Sequence, residues 1–340
     1  MKNKDKIKSG QPAASTRELC PRMTRREFIS GTLLGAGACL LGGTSLAAAL
    51  APSAAPPDSV SFVHFTDTHL NPARDYSHCR MIKDSLALLE DAVSSVNTMK
   101  NIDFVIFTGD MIDSPNEKLI ETFARAANRL QVPWFWSIGN HDVGPGGMKV
   151  PKIVEALNKH NPHFSAPAPR YSFTVNGFLF VSMCGAIDNA VTAAARFPED
   201  ELRFLDERLR ADASRPAILF QHFPIVYPFK SATHVVLNQQ EYFGLIDSRP
   251  NVKAVFSGHY HAARLSERNG VAHVSTPALI QYPNEIRKTT VTRAAQGVKF
   301  DFEMIPTRLR NIRESSRAAC SSSALLEGKP VDRNASMSVK

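Results

Sequence analysis

Between residues 59 and 306 the apolar positions follow two alternating periods. Short apolar runs at 60–66, 104–107, 134–138, 217–220 and 252–256 have the length and flanks of buried strands. Between them, residues 79–99 carry Ile82, Leu86, Leu89, Val93 and Val96 at helical spacing, and 117–130, 152–160, 198–210 and 238–246 read as further helices. Pro198 at a first turn, followed by Glu199, Asp200 and Glu201, suits the positive end of a helix. Residues 170–175 and 178–183 flank Asn176-Gly177, the clearest hairpin signal in the chain. Residues 264–275 about Asn269-Gly270, and 289–304, predict two more. The order strand, helix, strand, helix, strand predicts an α/β domain over 59–306, with ligand sites beyond the carboxyl ends of the strands. After Pro306 the sequence turns Arg- and Ser-rich without periodicity, which predicts a flexible tail over 307–340.

The strand ends are where the chemistry collects. In order they read Asp67-x-His69, Gly109-Asp110, Gly139-Asn140-His141-Asp142, His222, and Gly258-His259-x-His261. Taken singly, Asp67 and Asp110 could be turn residues or helix caps, Asn140 a turn residue, and His222 a satisfied core histidine. Together they offer carboxylates, imidazoles and one amide oxygen, with no thiolate. That set suits borderline or hard divalent metals such as Mn, Fe, Zn, Ni or Co rather than a structural zinc. Seven donors exceed what one metal needs, and two metals roughly 3.5–4 Å apart need a bridging group, which a carboxylate supplies best.

These five blocks, in this order, resemble the calcineurin-like metallophosphoesterases, whose pattern is D-x-H, G-D, G-N-H-D/E, a lone H, and G-H-x-H. The resemblance spans Asp67 to His261. It implies a fold of two mixed sheets flanked by helices, a four-layer αββα sandwich. It implies two divalent metal ions, one held by Asp67, His69, Asp110 and His261, the other by Asp110, Asn140, His222 and His259, with Asp110 as the bridge. His141 would then donate a hydrogen bond or proton to the phosphoryl or leaving oxygen. Asp142 would hold the His141 ring. The reaction implied is hydrolysis of a small phosphodiester or phosphomonoester by a metal-bridging hydroxide. The tyrosine that purple acid phosphatases place after G-D is absent, and Ser114-Pro115 departs from the protein Ser/Thr phosphatase pattern. The chain looks most like the class III cyclic-nucleotide phosphodiesterase group. A non-catalytic scaffold on the same fold, or a nuclease or nucleotide hydrolase, are the alternatives.

Composition changes the picture at the ends. The formal charge is +8, but residues 1–49 hold eight Lys/Arg against three acids, so the remainder is near neutral and argues against a nucleic-acid partner. Thr24-Arg25-Arg26-Glu27-Phe28, then a Gly-rich apolar run and Ala47-Ala48-Ala49, resemble a twin-arginine export signal over 1–49, followed by a linker over 50–58. The expected partners are a small phosphate ester and, during export, the twin-arginine translocase, with no stable membrane insertion and a periplasmic or extracellular destination. Cys20 and Cys39 fall in that leader. Cys79, Cys184 and Cys320 remain, an odd number without CxxC spacing. They read as buried apolar residues, with Cys320 loose in the tail.

Overall fold

A computed structural model describes residues 58–188 and 190–340. The segments expected to be an export signal and a linker lie almost wholly outside the described residues. Among those described, no helix is long and apolar enough to cross a membrane.

Two six-stranded mixed sheets face each other. The first is built on β1 (Ser59–Phe65), β2 (Phe104–Thr108) and β3 (Trp134–Ser137), which run parallel. It continues through β10 (Glu285–Arg293), antiparallel to β1, then β11 (Val298–Pro306) and β12 (Ala335–Val339). The second sheet holds β4 (Tyr171–Val175), β5 (Phe178–Ser182), β6 (Ala217–Phe220), β7 (Val252–Ser257), β9 (Val271–Ser275) and β8 (Arg264–Arg268), in that spatial order. The three hairpins expected from the sequence are the pairs β4–β5, β8–β9 and β10–β11. Asn176 and Asn269 each take a positive φ beside a positive-φ glycine, as type I′ turns require.

Aromatic rings hold the two sheets together. Phe62 of β1 stacks on Phe104 at 5.1 Å and meets Phe220 and Phe256 of the facing sheet edge-on at 5.3 and 5.2 Å. All four are fully buried, and each contributes about 1.5–3 kcal/mol from burial alone. Outside the first sheet lie α1 (Ser85–Thr98), α2 (Glu117–Ala127) and α3 (Val150–His160), whose Leu88, Leu89, Phe123 and Leu157 join that core. Outside the second lie α4 (Glu199–Ala211) and α5 (Gln239–Asp247), which bury Leu205, Leu209, Tyr242 and Ile246 against Leu179, Val181 and Leu219. The expected four layers are present.

Two expectations need correction. The first helix does not begin at residue 79. Arg80 instead forms an extended bridge with Gln281, and a 3₁₀ turn at Ile82–Asp84 leads into α1. Nor is 307–340 a frayed tail. It forms α6 (Arg310–Ala319), α7 (Ser323–Glu327) and β12, which extends the first sheet along β11 from Phe302↔Ala335 to Val298↔Val339. The fully buried Arg287 of β10 holds this segment by donating to the carbonyls of Asp332 at 3.0 Å and Arg333 at 3.3 Å. Such long-range polar contacts leave no apolar period in the sequence, so the segment read as disordered.

Candidate metal centre

The carboxyl ends of β1, β2, β3, β6 and β7 open onto one cleft. Its lining includes Asp110, Asn140, His141, His259 and His261, and its volume is about 400 Å³. The loops reach it through unusual backbone. Asp67, His69, Asp110, His259 and His261 all have positive φ, between 42° and 68°. A non-glycine residue in that region costs on the order of 1 kcal/mol or more and persists only where surrounding contacts enforce it. The close packing of the loops also explains two glycines of the motifs. A Cβ on Gly258 would run into the Thr66 hydroxyl and the Asp67 carboxylate, and one on Gly139 into Asp110.

Each acid is divided between structure and site. Asp67 Oδ2 accepts from His259 N at 2.9 Å and Thr66 Oγ1 at 2.7 Å, while Oδ1 is buried without a hydrogen-bond partner. Asp110 Oδ1 accepts from His141 N at 2.8 Å, which leaves Oδ2 facing the histidines. That one oxygen stands 3.5 Å from His69 Nε2 and 3.3 Å from His222 Nε2. Asn140 Oδ1 is likewise buried and unpartnered.

The imidazoles are oriented from behind. His222 Nδ1 lies 2.8 Å from Thr108 O, His259 Nε2 lies 2.8 Å from Ala193 O, and His261 Nδ1 lies 2.9 Å from Gln281 Oε1. A ring nitrogen against a carbonyl oxygen carries a proton, so the opposite nitrogen faces inward, where the neutral ring offers its lone pair. His69 backs onto Asp113 Oδ1, 3.5 Å from its Nδ1. Inward, His69 Nε2 and His261 Nε2 stand 3.3 Å apart, and His222 Nε2 and His259 Nδ1 3.1 Å apart. Burial drives His69 down to about 4 and His259 well below the ordinary imidazole value, which keeps both neutral. His222 differs: burial opposes its charge, but the Asp110 and Asp67 carboxylates outweigh burial and raise it to about 9. Burial opposes both carboxylates, but His261 and His222 hold the Asp67 carboxyl, and His222, His141 and His69 the Asp110 carboxyl, below the usual carboxylate range.

Converging ring nitrogens, two ionised carboxylates and two unpartnered buried oxygens fit divalent cations, with His222 giving up its proton to bind one. The donor atoms fall into groups within 4.8 Å of one another: Asp67, His69 and His261; Asp110, His222 and His259; and His69, Asp110 and His141. Seven of the eight side chains singled out in the sequence thus converge, and the eighth, Asn140, lines the same cleft. They also lie within residues 60–263, the span that matches the Calcineurin-like phosphoesterase family.

The chain belongs to that family.

Among relatives of this phosphoesterase, a 3',5'-cyclic-nucleotide phosphodiesterase from Nostoc is 24% identical over 222 residues, covering 64% of the chain and 78% of the relative. A 3',5'-cyclic adenosine monophosphate phosphodiesterase from Haemophilus influenzae is 25% identical, covering 64% and 76% respectively. A manganese-dependent ADP-ribose/CDP-alcohol diphosphatase from Oryza sativa is 25% identical, covering 60% and 77%. A solved dimetal phosphatase from Danio rerio shares the fold with a TM-score of 0.60 at 17% identity, over 74% of this chain and 97% of that one.

Several residues around the centre have roles the sequence did not reveal. Asp142 does not hold the His141 ring. It accepts instead from Gly139 N at 2.8 Å and Ile112 N at 3.1 Å, bracing the two loops, and burial raises its pKa above the carboxylate range. His141 Nδ1 faces Asp113 O at 3.3 Å. Asp113 thus touches both His69 and His141 and also pairs with Arg74. The motif Gly109-Asp110-x-x-Asp113 was its only signal. Gln281, 20 positions beyond His261, carried no signal at all. Of the remaining histidines, His64 is buried between Thr108 and Thr276, whereas His234 lines the cleft together with Arg80.

Proposed function

We propose that the chain is a metal-dependent phosphodiesterase acting on small nucleotide-type phosphodiesters, of which 3',5'-cyclic nucleotides are the leading candidates. The observation that carries this reading is the single Asp110 oxygen shared between His69 and His222. On it, Asp67, His69, Asp110 and His261 would hold one cation, and Asp110, Asn140, His222 and His259 a second. Two such cations supply Lewis-acid charge at the phosphoryl oxygens and make a water nucleophilic near neutral pH.

The chain's own residues do the rest. Arg80 lines the cleft, and no ion pair or hydrogen bond engages its guanidinium among the described residues, so it is free to bind a phosphate oxygen. Val143, Pro115, Pro145 and the exposed Val191 give the same cleft an apolar side for the ester's organic group. His141 is anchored by its amide to Asp110 and by Nδ1 against Asp113 O, which points Nε2 at the cleft. Its imidazolium form can donate the Nε2 proton to the departing alkoxide. The Nostoc and Haemophilus relatives support the cyclic-nucleotide class. The twin-arginine pattern in 1–49 supports an exported, periplasmic or extracellular protein, with the translocase as its partner during export.

The reading is tested on the purified chain by metal analysis and by parallel assays of bis-p-nitrophenyl phosphate, p-nitrophenyl phosphate and 3',5'-cyclic AMP with Mn²⁺. The expected result is about two cations per chain and faster turnover of the diesters than of the monoester. Two bound cations with no turnover of any ester would refute catalysis, and monoester preference would refute the substrate class. Export is tested by fractionating cells that carry the chain with Arg25 and Arg26 changed to Lys. Export unaffected by that change would overturn the twin-arginine route.

A further inference from the structure

Cys79, Cys184 and Cys320 are free thiols, and two of them meet. Cys184 is buried beside Glu201, whose carboxylate accepts from its amide at 3.2 Å. Cys79 and Cys320, far apart in sequence, pack into one small apolar cluster with Ala262, Leu326 and Phe229. One turn before Cys320, Ser316 of α6 is fixed against the same strip of chain. Its Oγ donates to Cys79 O at 2.6 Å and accepts from Tyr282 N at 2.8 Å. Cys320 directly follows the last residue of α6, so the anchor at Ser316 holds the helix end that carries Cys320 against the Cys79 strip. Burial, then a hydrogen bond with the Cys320 thiol, pushes the Cys79 thiol up to about 12.

We infer that Cys79 and Cys320 form a disulfide when the protein meets a thiol oxidant, joining the end of α6 to the rim of the metal cleft. The oxidant required is a small disulfide or an oxidised dithiol protein. The Cys79 thiolate, the more accessible of the two, attacks one sulfur of that disulfide and expels a thiolate, leaving a mixed disulfide on Cys79. The Cys320 thiol, losing its proton to solvent, then attacks Cys79 Sγ and expels the second thiolate. The two protein thiols lose two electrons and two protons, and the oxidant gains both as a pair of thiols. With so little thiolate at neutral pH, exchange is slow, which makes the bond a lasting staple rather than a quick sensor. Arg80 follows Cys79 directly and lines the cleft, so the staple also fixes the backbone that presents its guanidinium. The cross-link stands independently of the proposed activity.

The test incubates the full chain with oxidised glutathione, blocks remaining thiols, and maps tryptic peptides without reduction. The expected product joins peptide 75–80 to peptide 318–333, lighter by two hydrogens than the free pair. Adding reductant is expected to lower the melting temperature by about 5–10 °C. That sensitivity should vanish in both Cys79→Ser and Cys320→Ser and persist in Cys184→Ser. Recovery of Cys79 and Cys320 as blocked thiols, or as glutathione adducts that never resolve, would overturn the assignment, as would reductant sensitivity lost in Cys184→Ser.

Discussion

Replacing Asp113 with Asn separates the orientation of the centre from its ligands. Asp113 belongs to none of the three groups of converging donor atoms, but its carboxylate lies 3.5 Å behind His69 Nδ1 and its carbonyl oxygen lies 3.3 Å from His141 Nδ1. Burial opposes its ionisation, yet His69 and Arg74 overcome that and hold it down at about 2, so it is a full anion at neutral pH. The substitution keeps the shape, leaves the backbone carbonyl in place, and removes the charge that makes the His69 ring a stronger donor. Loss of such an orienting carboxylate typically weakens metal affinity tenfold to a hundredfold, about 1.4–2.7 kcal/mol. The pair with Arg74 adds little, because the Arg74 side chain is 55% exposed and such pairs are worth about 0–1 kcal/mol. Competition with a chelator of known affinity measures the effect, with Arg74→Ala as the control. Asp113→Asn should weaken binding of one cation within that range, and Arg74→Ala should leave both unchanged. Equal weakening in the two variants, or none in Asp113→Asn, would refute the role assigned to Asp113.

Three further outcomes follow from the same geometry. Gly258→Ala places a methyl group against Thr66 and the Asp67 carboxylate, so it should cost about 1–3 kcal/mol by urea denaturation and lower metal content as well. Burial raises the Glu201 carboxyl to about 7 from 4.5, despite Arg170 and the Cys184 amide. The folded state therefore keeps this proton while the unfolded chain releases it, and stability falls as pH rises from about 4.5 to about 7 and is then level. The slope amounts to about 3 kcal/mol, and Glu201→Gln should flatten it when midpoints are compared at pH 5 and pH 8. Phe62→Ala empties the contact between the two sheets and should cost about 3–5 kcal/mol in the same assay, with metal content unchanged in the protein that stays folded.

The legible parts of this chain are those where local sequence carries the physics. Strands 60–66 and 252–256 announced themselves because both their faces are buried, and α2 and α4 because each has one buried face. Asn176-Gly177 and Asn269-Gly270 marked turns that need positive φ. The centre was legible because its donors fall where strands end, a place that pattern alone can find. The residues that orient those donors were not. Thr108 and Ala193 act through backbone carbonyls, which any residue possesses, and Gln281 acts through a contact that only the fold creates. The same holds for 307–340, where a buried arginine and an added edge strand do the work of an apolar stripe. The pairing of Cys79 with Cys320 was hidden for a related reason, since it depends on where α6 is anchored and not on spacing along the chain.

The left-handed backbone of five of the eight centre residues has a practical corollary for mutagenesis. Asn settles into that conformation more readily than any other side chain bearing a Cβ, whereas Ala does not. Alanine scanning here would confound a missing donor with a relaxing loop, and a folding defect would pass for a chemical one. Asparagine at Asp67, Asp110, His69, His259 or His261 changes the donor and spares the torsion. Comparing the two replacements at each position would separate how much each residue gives to the loop's shape from how much it gives to the cation.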